Sequence, residues 1–211
     1  MSKNENDFRI FLVRHGQPRQ HSGKIFLGQA DVPLSEQGKE EASAAADLLI
    51  EHRANSKRVY TSDLARARET AEIIAEKLDV PVVPDKLFRE MAMGTWDGEL
   101  IEDIKAKFPE EYAKRGDDPR NYRTPGGENF YDLRGRVLRE FHRILAEDFY
   151  DSDDCGDLII VAHLGVLVSL TEEVFSGTGS AGRGQFFPTG SVSVFDAPDW
   201  MRPGRPETEK R

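Results

Sequence analysis

Residues 8–18 read FRIFLVRHGQP, and the fold turns on the break inside them. Phe8–Val13 is a short apolar run with the length and side chains of a buried strand. It ends at once in a cation, an imidazole and a residue without a side chain: Arg14, His15 and Gly16. A strand that is apolar along its length is covered on both faces, and polar groups just past its carboxyl end stand where open α/β sheets bind ligands.

The same punctuation recurs along the chain. Arg58–Tyr60, Val80–Val83 between prolines, Leu158–Ala162 (LIIVA) and Ser191–Phe195 (SVSVF) also have strand character. Helical spacing falls between them: from a cap at Ser35 to about Arg53, over LARARETAEIIAEKL behind a cap at Ser62 or Asp63, and over Ile101–Phe108, Phe130–Phe149 and Gly165–Phe175. Strands alternating with helices predict a three-layer α/β/α fold around a mostly parallel central sheet. Arg14 and His15, Thr61 and Ser62, and His163 all follow strands, so they meet at one sheet edge. The stretch PEEYAKRGDDPRNYRTPGGE, rich in proline, glycine and charge, reads as an irregular excursion, and 108–128 is the candidate lid. Residues 1–211 are expected to form a single domain with a loosely ordered tail from about 197.

Composition narrows the function. With 38 acidic against 29 basic side chains, a net charge of −9 and a pI near 5.2, no polyanion-binding face is expected, which excludes nucleic acid as the partner. Cys155, the single cysteine, excludes a disulfide framework and suits a reducing compartment; it reads as a loop residue. The N-terminus lacks an apolar signal core and no run is long enough to span a bilayer, so a cytoplasmic protein without a membrane partner is expected. The acidic stretch Glu147–Asp157 reads as a solvated loop, and Asp151 and Asp153 lack the glycine and glutamate of a calcium loop, so no metal is assigned.

Two histidines and two arginines carry the chemistry. Arg14-His15-Gly16 alone is a weak signal, but VAHLG at 161–165 sets His163 after a second strand, and SDLAR at 62–66 sets Arg66 in the first turns of a helix. Such a cluster repels itself unless it holds an anion, and a helix start adds backbone N–H groups that favour phosphate. A cationic pocket in an acidic protein points to a phosphoryl group.

Six segments in order, LVRHGQ (12–17), GQADVPLSEQGKEEA (28–42), VYTSDLARARETAEII (59–74), LFREMAMGTWDG (87–98), PGGEN (125–129) and IIVAHLG (159–165), resemble the histidine phosphatase superfamily, the phosphoglycerate mutase-like group. The resemblance implies that His15 is the nucleophile and forms a phosphohistidine, that Arg14, Arg66 and His163 hold the phosphoryl oxygens, and that Glu90 is the proton donor. It also implies Gln17, His21, Gly28 and Leu164 as substrate-binding positions. A neutral His15 attacks, while fixed guanidinium groups and a protonated His163 stabilise the transition state, with no metal and no cofactor. Gly16 is expected to let the backbone approach the phosphate.

Other readings stand beside these. Arg89 can pair with Glu90 as a surface salt bridge. Arg68 is expected in solvent, His52 and His142 on helix surfaces, and Ser62 as a cap. Trp96 and Met93 divide evenly between pocket and core. The mutase-branch tryptophan and asparagine are replaced by Gln20 and His21, and REMAMGTWDG resembles the phosphatases, especially α-ribazole-phosphate phosphatase. Leu164 between His163 and Gly165, Asn129 in PGGEN, and Val168 depart from the family pattern and bear on the substrate. The expected activity is hydrolysis of a small phosphorylated metabolite, with homodimerisation left open. The alternatives are a phosphoglycerate mutase-type phosphotransferase and a non-catalytic phosphate-ligand binding protein.

Overall fold

The computed structural model describes residues 8–19, 22–149, 156–174, 187–198 and 201. Its strands are β1 (Arg9–Arg14), β2 (Val59–Ser62), β3 (Val82–Asp85), β4 (Leu158–Ala162) and β5 (Val192–Asp196). Its α-helices are α1 (Glu36–Glu51), α2 (Ala65–Leu78), α3 (Ile101–Lys107), α4 (Pro109–Asp117), α5 (Phe130–Ile144) and α6 (Leu164–Val174). The sheet order is β3-β2-β4-β1-β5, with every pairing parallel except that of β5 with β1.

The three layers follow from the two-residue period of the strands. In β1, Ile10 and Leu12 enter one core with α5 and α6, while Phe11 and Val13 enter the other with α1 and α2. β4 divides likewise: Leu158, Ile160 and Ala162 face one side, Ile159 and Val161 the other. Each of these side chains is fully buried, worth about 1.5–3 kcal/mol apiece for the larger ones. The two central strands are therefore apolar on both faces, which is why they read as unbroken hydrophobic runs.

Several expectations need correction. The stretch after Phe108 is not irregular throughout: α4 begins on Pro109 at its first turn, with Glu110 and Glu111 near its N-terminus and Lys114 and Arg115 near its C-terminus, a charge order that favours helix. The end of α5 changes at Leu145–Phe149 into a π-helical turn. β2 continues through Ser62, and β3 lies two residues later than its prolines suggest. Of the tail, Ala197 and Met201 are buried and the Ala197 amide donates to the Phe8 carbonyl at 3.0 Å, while residues 199–200 and 202–211 lie outside the described residues. Asp157 is no solvated loop residue: it is 6% exposed and accepts from the side chain and amide of Arg9 and from the Asn55 amide. Cys155, Asp151 and Asp153 lie outside the described residues.

A third, smaller core seats the candidate lid. Phe26, Met93, Trp96 and Ile104 pack together, with Tyr112 of α4 and Tyr122 against them. The Arg115 guanidinium lies over the Phe26 ring, 5.1 Å from its centre. Trp96 and Met93, 1% and 4% exposed, thus serve packing. Arg120 pairs with Glu172 on α6, and Arg123 with Asp132 on α5, tying the excursion to the body.

Candidate active site

Register brings the histidines together. Arg14 pairs with Ala162 at the end of the β1–β4 ladder, and the His15 amide donates to the Ala162 carbonyl at 3.0 Å. His15 and His163 are each the next residue along, so their rings lie side by side with centres 5.0 Å apart. Both are buried, at 3% and 0% exposed.

His15 Nδ1 lies 2.8 Å from the Gly16 carbonyl. A carbonyl only accepts, so Nδ1 carries the hydrogen and Nε2 keeps its lone pair. Burial first, then the charges of Arg66 and Arg14, push the His15 pKa down to about 3, against one opposing contribution from that hydrogen bond. The ring is neutral at any ordinary pH. His163 is lowered well below the usual imidazole value by burial, then by Arg66, His15, Arg136 and Arg14. With no anion in the site, desolvation and the surrounding cations favour the neutral form of His163.

The arginines are held by carbonyls. Arg66, fully buried, donates Nη1 to Ala30 O and Nη2 to Gly28 O, both at 2.8 Å. Burial lowers its pKa to about 10, so it stays charged, helped by Glu90 and Asp31. Arg14 donates Nη1 to Phe187 O, and its pKa too is lowered by burial. The Nε of each arginine and both ring nitrogens of His163 are buried without a hydrogen-bond partner among the described residues. Four unpaired buried polar atoms beside one another are costly unless an anion completes them.

Glu90 reaches the cluster from the irregular stretch between two 3₁₀ turns, Lys86–Phe88 and Gly94–Trp96. Its Oε1 accepts from the Met91 amide at 2.8 Å and its Oε2 from the Gly165 amide at 3.2 Å. A Cβ on Gly165 would stand 2.6 Å from Oε1, so the glycine after Leu164 has a steric reason. Arg89 does not pair with Glu90: it forks onto Asp63 at 2.6 and 2.7 Å, which its side-chain direction away from Glu90 permits.

The remaining predicted positions divide. Gln17 lines an open cleft of about 490 Å³ with Arg19 and Lys24, and its Oε1 accepts from the Ser35 hydroxyl at 3.0 Å. Gly28 is buried and acts through the carbonyl that holds Arg66. Leu164 is 40% exposed beside His163. His21 and Gln20 lie outside the described residues. Gly16 has a packing reason for its missing side chain, since a Cβ there would meet Gly38 O at 2.1 Å. Neither Ser62 nor Asp63 caps α2 as the flanking sequence suggests. Leu64 is its cap residue, and the Ala65 amide donates instead to Asp31 Oδ1 at 2.7 Å.

Arg68 is exposed and pairs with Glu72; His142 pairs with Glu173. Asn129 forms a capping box with Asp132 at the start of α5, and Val168 packs against the larger core, so both departures have structural roles.

Residues not singled out in the sequence complete the site. Thr70 Oγ1 accepts from the Gly16 amide at 3.0 Å and donates to Arg66 O at 2.7 Å, joining the His15 loop to α2. Its place one helical turn after Arg66 was the available signal. Asp97 Oδ1 accepts from the amides of Gln29 and Met93, and Arg136 contacts the Glu90 carbonyl.

Known proteins share this arrangement of chain. The model of the Histidine phosphatase superfamily (branch 1) matches residues 10–200. A glucosyl-3-phosphoglycerate phosphatase from Mycolicibacterium vanbaalenii is 32% identical over 77% of this chain and 72% of its own. An adenosylcobalamin/alpha-ribazole phosphatase from Salmonella typhimurium is 35% identical over 75% of each chain. A 2,3-bisphosphoglycerate-dependent phosphoglycerate mutase 2 from Gloeobacter violaceus is 35% identical over 74% of this chain and 70% of its own. The crystal structure of an alpha-ribazole phosphatase from Shigella flexneri superimposes with a TM-score of 0.75 at 26% identity, covering 89% of both chains. The chain belongs to the histidine phosphatase superfamily, branch 1.

Proposed function

We propose that this protein is a phosphomonoesterase of the cytoplasm that hydrolyses small phosphorylated metabolites through a phosphohistidine on His15, with no metal taking part. The observation that carries the reading is the nucleophile: a neutral imidazole whose Nδ1 hydrogen is fixed on Gly16 O, leaving Nε2 free beside His163, Arg14 and Arg66. Nε2 attacks phosphorus as the ester oxygen departs, and Glu90 protonates that oxygen. Water then attacks the phosphohistidine, returning a proton to Glu90 and releasing phosphate. The unpaired nitrogens of Arg14, Arg66 and His163 receive the phosphoryl oxygens. A bound phosphate dianion reverses the electrostatic balance on His163 and favours its protonated form, so the charge expected there arrives with the substrate.

Phosphatase relatives and the REMAMGTWDG segment favour hydrolysis. The mutase relative favours a second reading, transfer between phosphoglycerate positions. A mutase must keep water from the phosphohistidine while its substrate turns, and a phosphatase must admit it.

Phosphate release from a panel of monoesters, measured with chelator for wild type and His15→Ala, tests the proposal. Chelator-resistant release lost in the variant, with acid-labile phosphate trapped on wild type alone, is expected. No release from any ester would sink it, and faster isomerisation of phosphoglycerates than phosphate release would favour the mutase.

A further inference from the structure

The segment that carries Glu90 is held by an arginine of α5. Arg136 of α5 donates Nη1 to the carbonyls of Leu87 and Arg89, both at 2.7 Å, and Nη2 to the carbonyl of Glu90 at 2.9 Å. Its Nε and Nη2 also meet the two oxygens of Glu128, at 2.8 Å each. Glu128 extends the grip: its Oε2 accepts from the Ala92 amide at 3.0 Å, and its own amide donates to the Ala92 carbonyl at 2.8 Å.

The one guanidinium thereby makes five hydrogen bonds, three to main-chain carbonyls of residues 87–90 and two to Glu128. The two side chains are mostly buried, at 13% and 21% exposed. The carbonyls of Leu87 and Arg89 ahead of Glu90, Glu90's own carbonyl and both polar groups of Ala92 after it are held, which leaves the carboxyl group chiefly its own side-chain rotations. The Met91 and Gly165 amides restrict those rotations in turn. A buried charge pair is a poor source of stability compared with apolar packing of the same volume, whereas it is a good means of setting one geometry.

We propose that the Arg136–Glu128 pair is a positioning device for proton delivery, setting the direction from which the Glu90 carboxyl meets the leaving oxygen. This rests on the reading of Glu90 as the proton donor. In the step concerned, the His15 Nε2–P bond forms as the P–O ester bond breaks, and the departing oxygen takes the Glu90 proton. Arg136 touches neither phosphorus nor the ester oxygen, so its effect scales with how much protonation the leaving group needs.

That dependence gives the test. The full chain, as wild type, Arg136→Lys and Arg136→Met, is assayed for kcat/KM on glycerol phosphate, whose alkoxide needs a proton to leave, and on p-nitrophenyl phosphate, whose phenolate does not. Inhibition by inorganic phosphate is measured in parallel. The expected result is a fall of about 10²-fold on the alkyl ester for Arg136→Met, at least tenfold more than on the aryl ester, with phosphate inhibition within about threefold of wild type. Arg136→Lys is expected to retain part of the difference, and Glu128→Gln, a milder change in case Arg136→Met fails to fold, to shift rates in the same direction. An equal fall on both esters, or weakened phosphate inhibition to match, would overturn the positioning role while leaving the phosphatase reading intact. Wild type inactive on both esters would remove the phosphatase reading, and the positioning role with it.

Discussion

Gly165→Ala puts a methyl group against the Glu90 carboxylate, the proposed proton donor. A Cβ at this position would lie 2.6 Å from Glu90 Oε1 and 2.7 Å from Leu133 Cδ2. Ordinary contact begins near 3.4 Å, so the carboxylate has to retreat by about 0.8 Å or turn away from the Gly165 amide it now accepts from. Misplacing a catalytic group by roughly an ångström costs on the order of 10²-fold. Stability moves differently. Residue 165 is the second of α6, where alanine is favoured over glycine by about 0.5–1 kcal/mol, and the Leu133 overlap opposes this by about 1–3 kcal/mol. The net is a loss of no more than about 2.5 kcal/mol, equivalent to roughly 5–10 °C in Tm for a chain of this size. The assay is kcat/KM on an alkyl phosphate beside a thermal melt. A variant that melts within this range and hydrolyses the alkyl ester within twofold of wild type would refute the assignment of Glu90 and the steric argument behind Gly165.

Arg66→Lys keeps the charge but not the fork that now spans Gly28 O and Ala30 O, so kcat/KM should fall about 10²–10³-fold with weakened phosphate inhibition, measured by steady-state kinetics. Unfolded histidines bind protons below about pH 6.5 while His15 resists down to about 3, so the unfolded state binds more protons in that window and stability falls with falling pH. The slope from His15 should approach about 1.4 kcal/mol per pH unit, with His163 adding in the same direction, read by denaturant titration; His15→Ala should reduce it and inorganic phosphate should flatten it. Asp31→Ala should cost about 0.5–2 kcal/mol by removing the acceptor at the start of α2, measured as a shift in denaturant midpoint. Asp63→Ala breaks the partly exposed pair with Arg89 and should leave kcat unchanged with under about 1 kcal/mol lost; a large fall in activity would mean that Arg89 acts in the site.

The parts of the fold that were legible are those where one local rule governs. LIIVA and FLV announce buried strands because nothing in them suits solvent, and the groups that follow them had to meet once the strands lay parallel and in register. His15 and His163 were readable on that ground, as was the helix start near Arg66. What stayed hidden depends on partners far away in sequence. Asp31 caps a helix 34 residues on, and Arg136 reaches back 46 residues to the Glu90 carbonyl, and neither leaves a periodic trace. α4 was missed for a different reason. Its prolines and glycines flank a short amphipathic turn that gains its stability from Tyr112 against the Phe26 cluster, a contact local patterning does not contain.

The partners chosen for the arginines explain how an acidic protein keeps a cationic pocket. Arg66 and Arg14 rest on carbonyls, which fix direction without neutralising charge. The carboxylates nearby are occupied with backbone amides instead: Asp31 with Ala65, Asp97 with Gln29 and Met93, Glu41 with Gln17, Glu69 with Leu34. They are near enough for Asp31 and Asp97 to help hold Arg66 charged, and engaged enough that they do not pair with it. Had either arginine been paired with a carboxylate, an entering phosphate would first have to displace that anion, and the pocket would lose much of its preference for a dianion. Exchanging Ala30 for a residue that brings a carboxylate to Arg66 should therefore weaken phosphate binding, read by inhibition with inorganic phosphate, more than removing Asp31 does, because pairing cancels the charge that the carbonyls only aim.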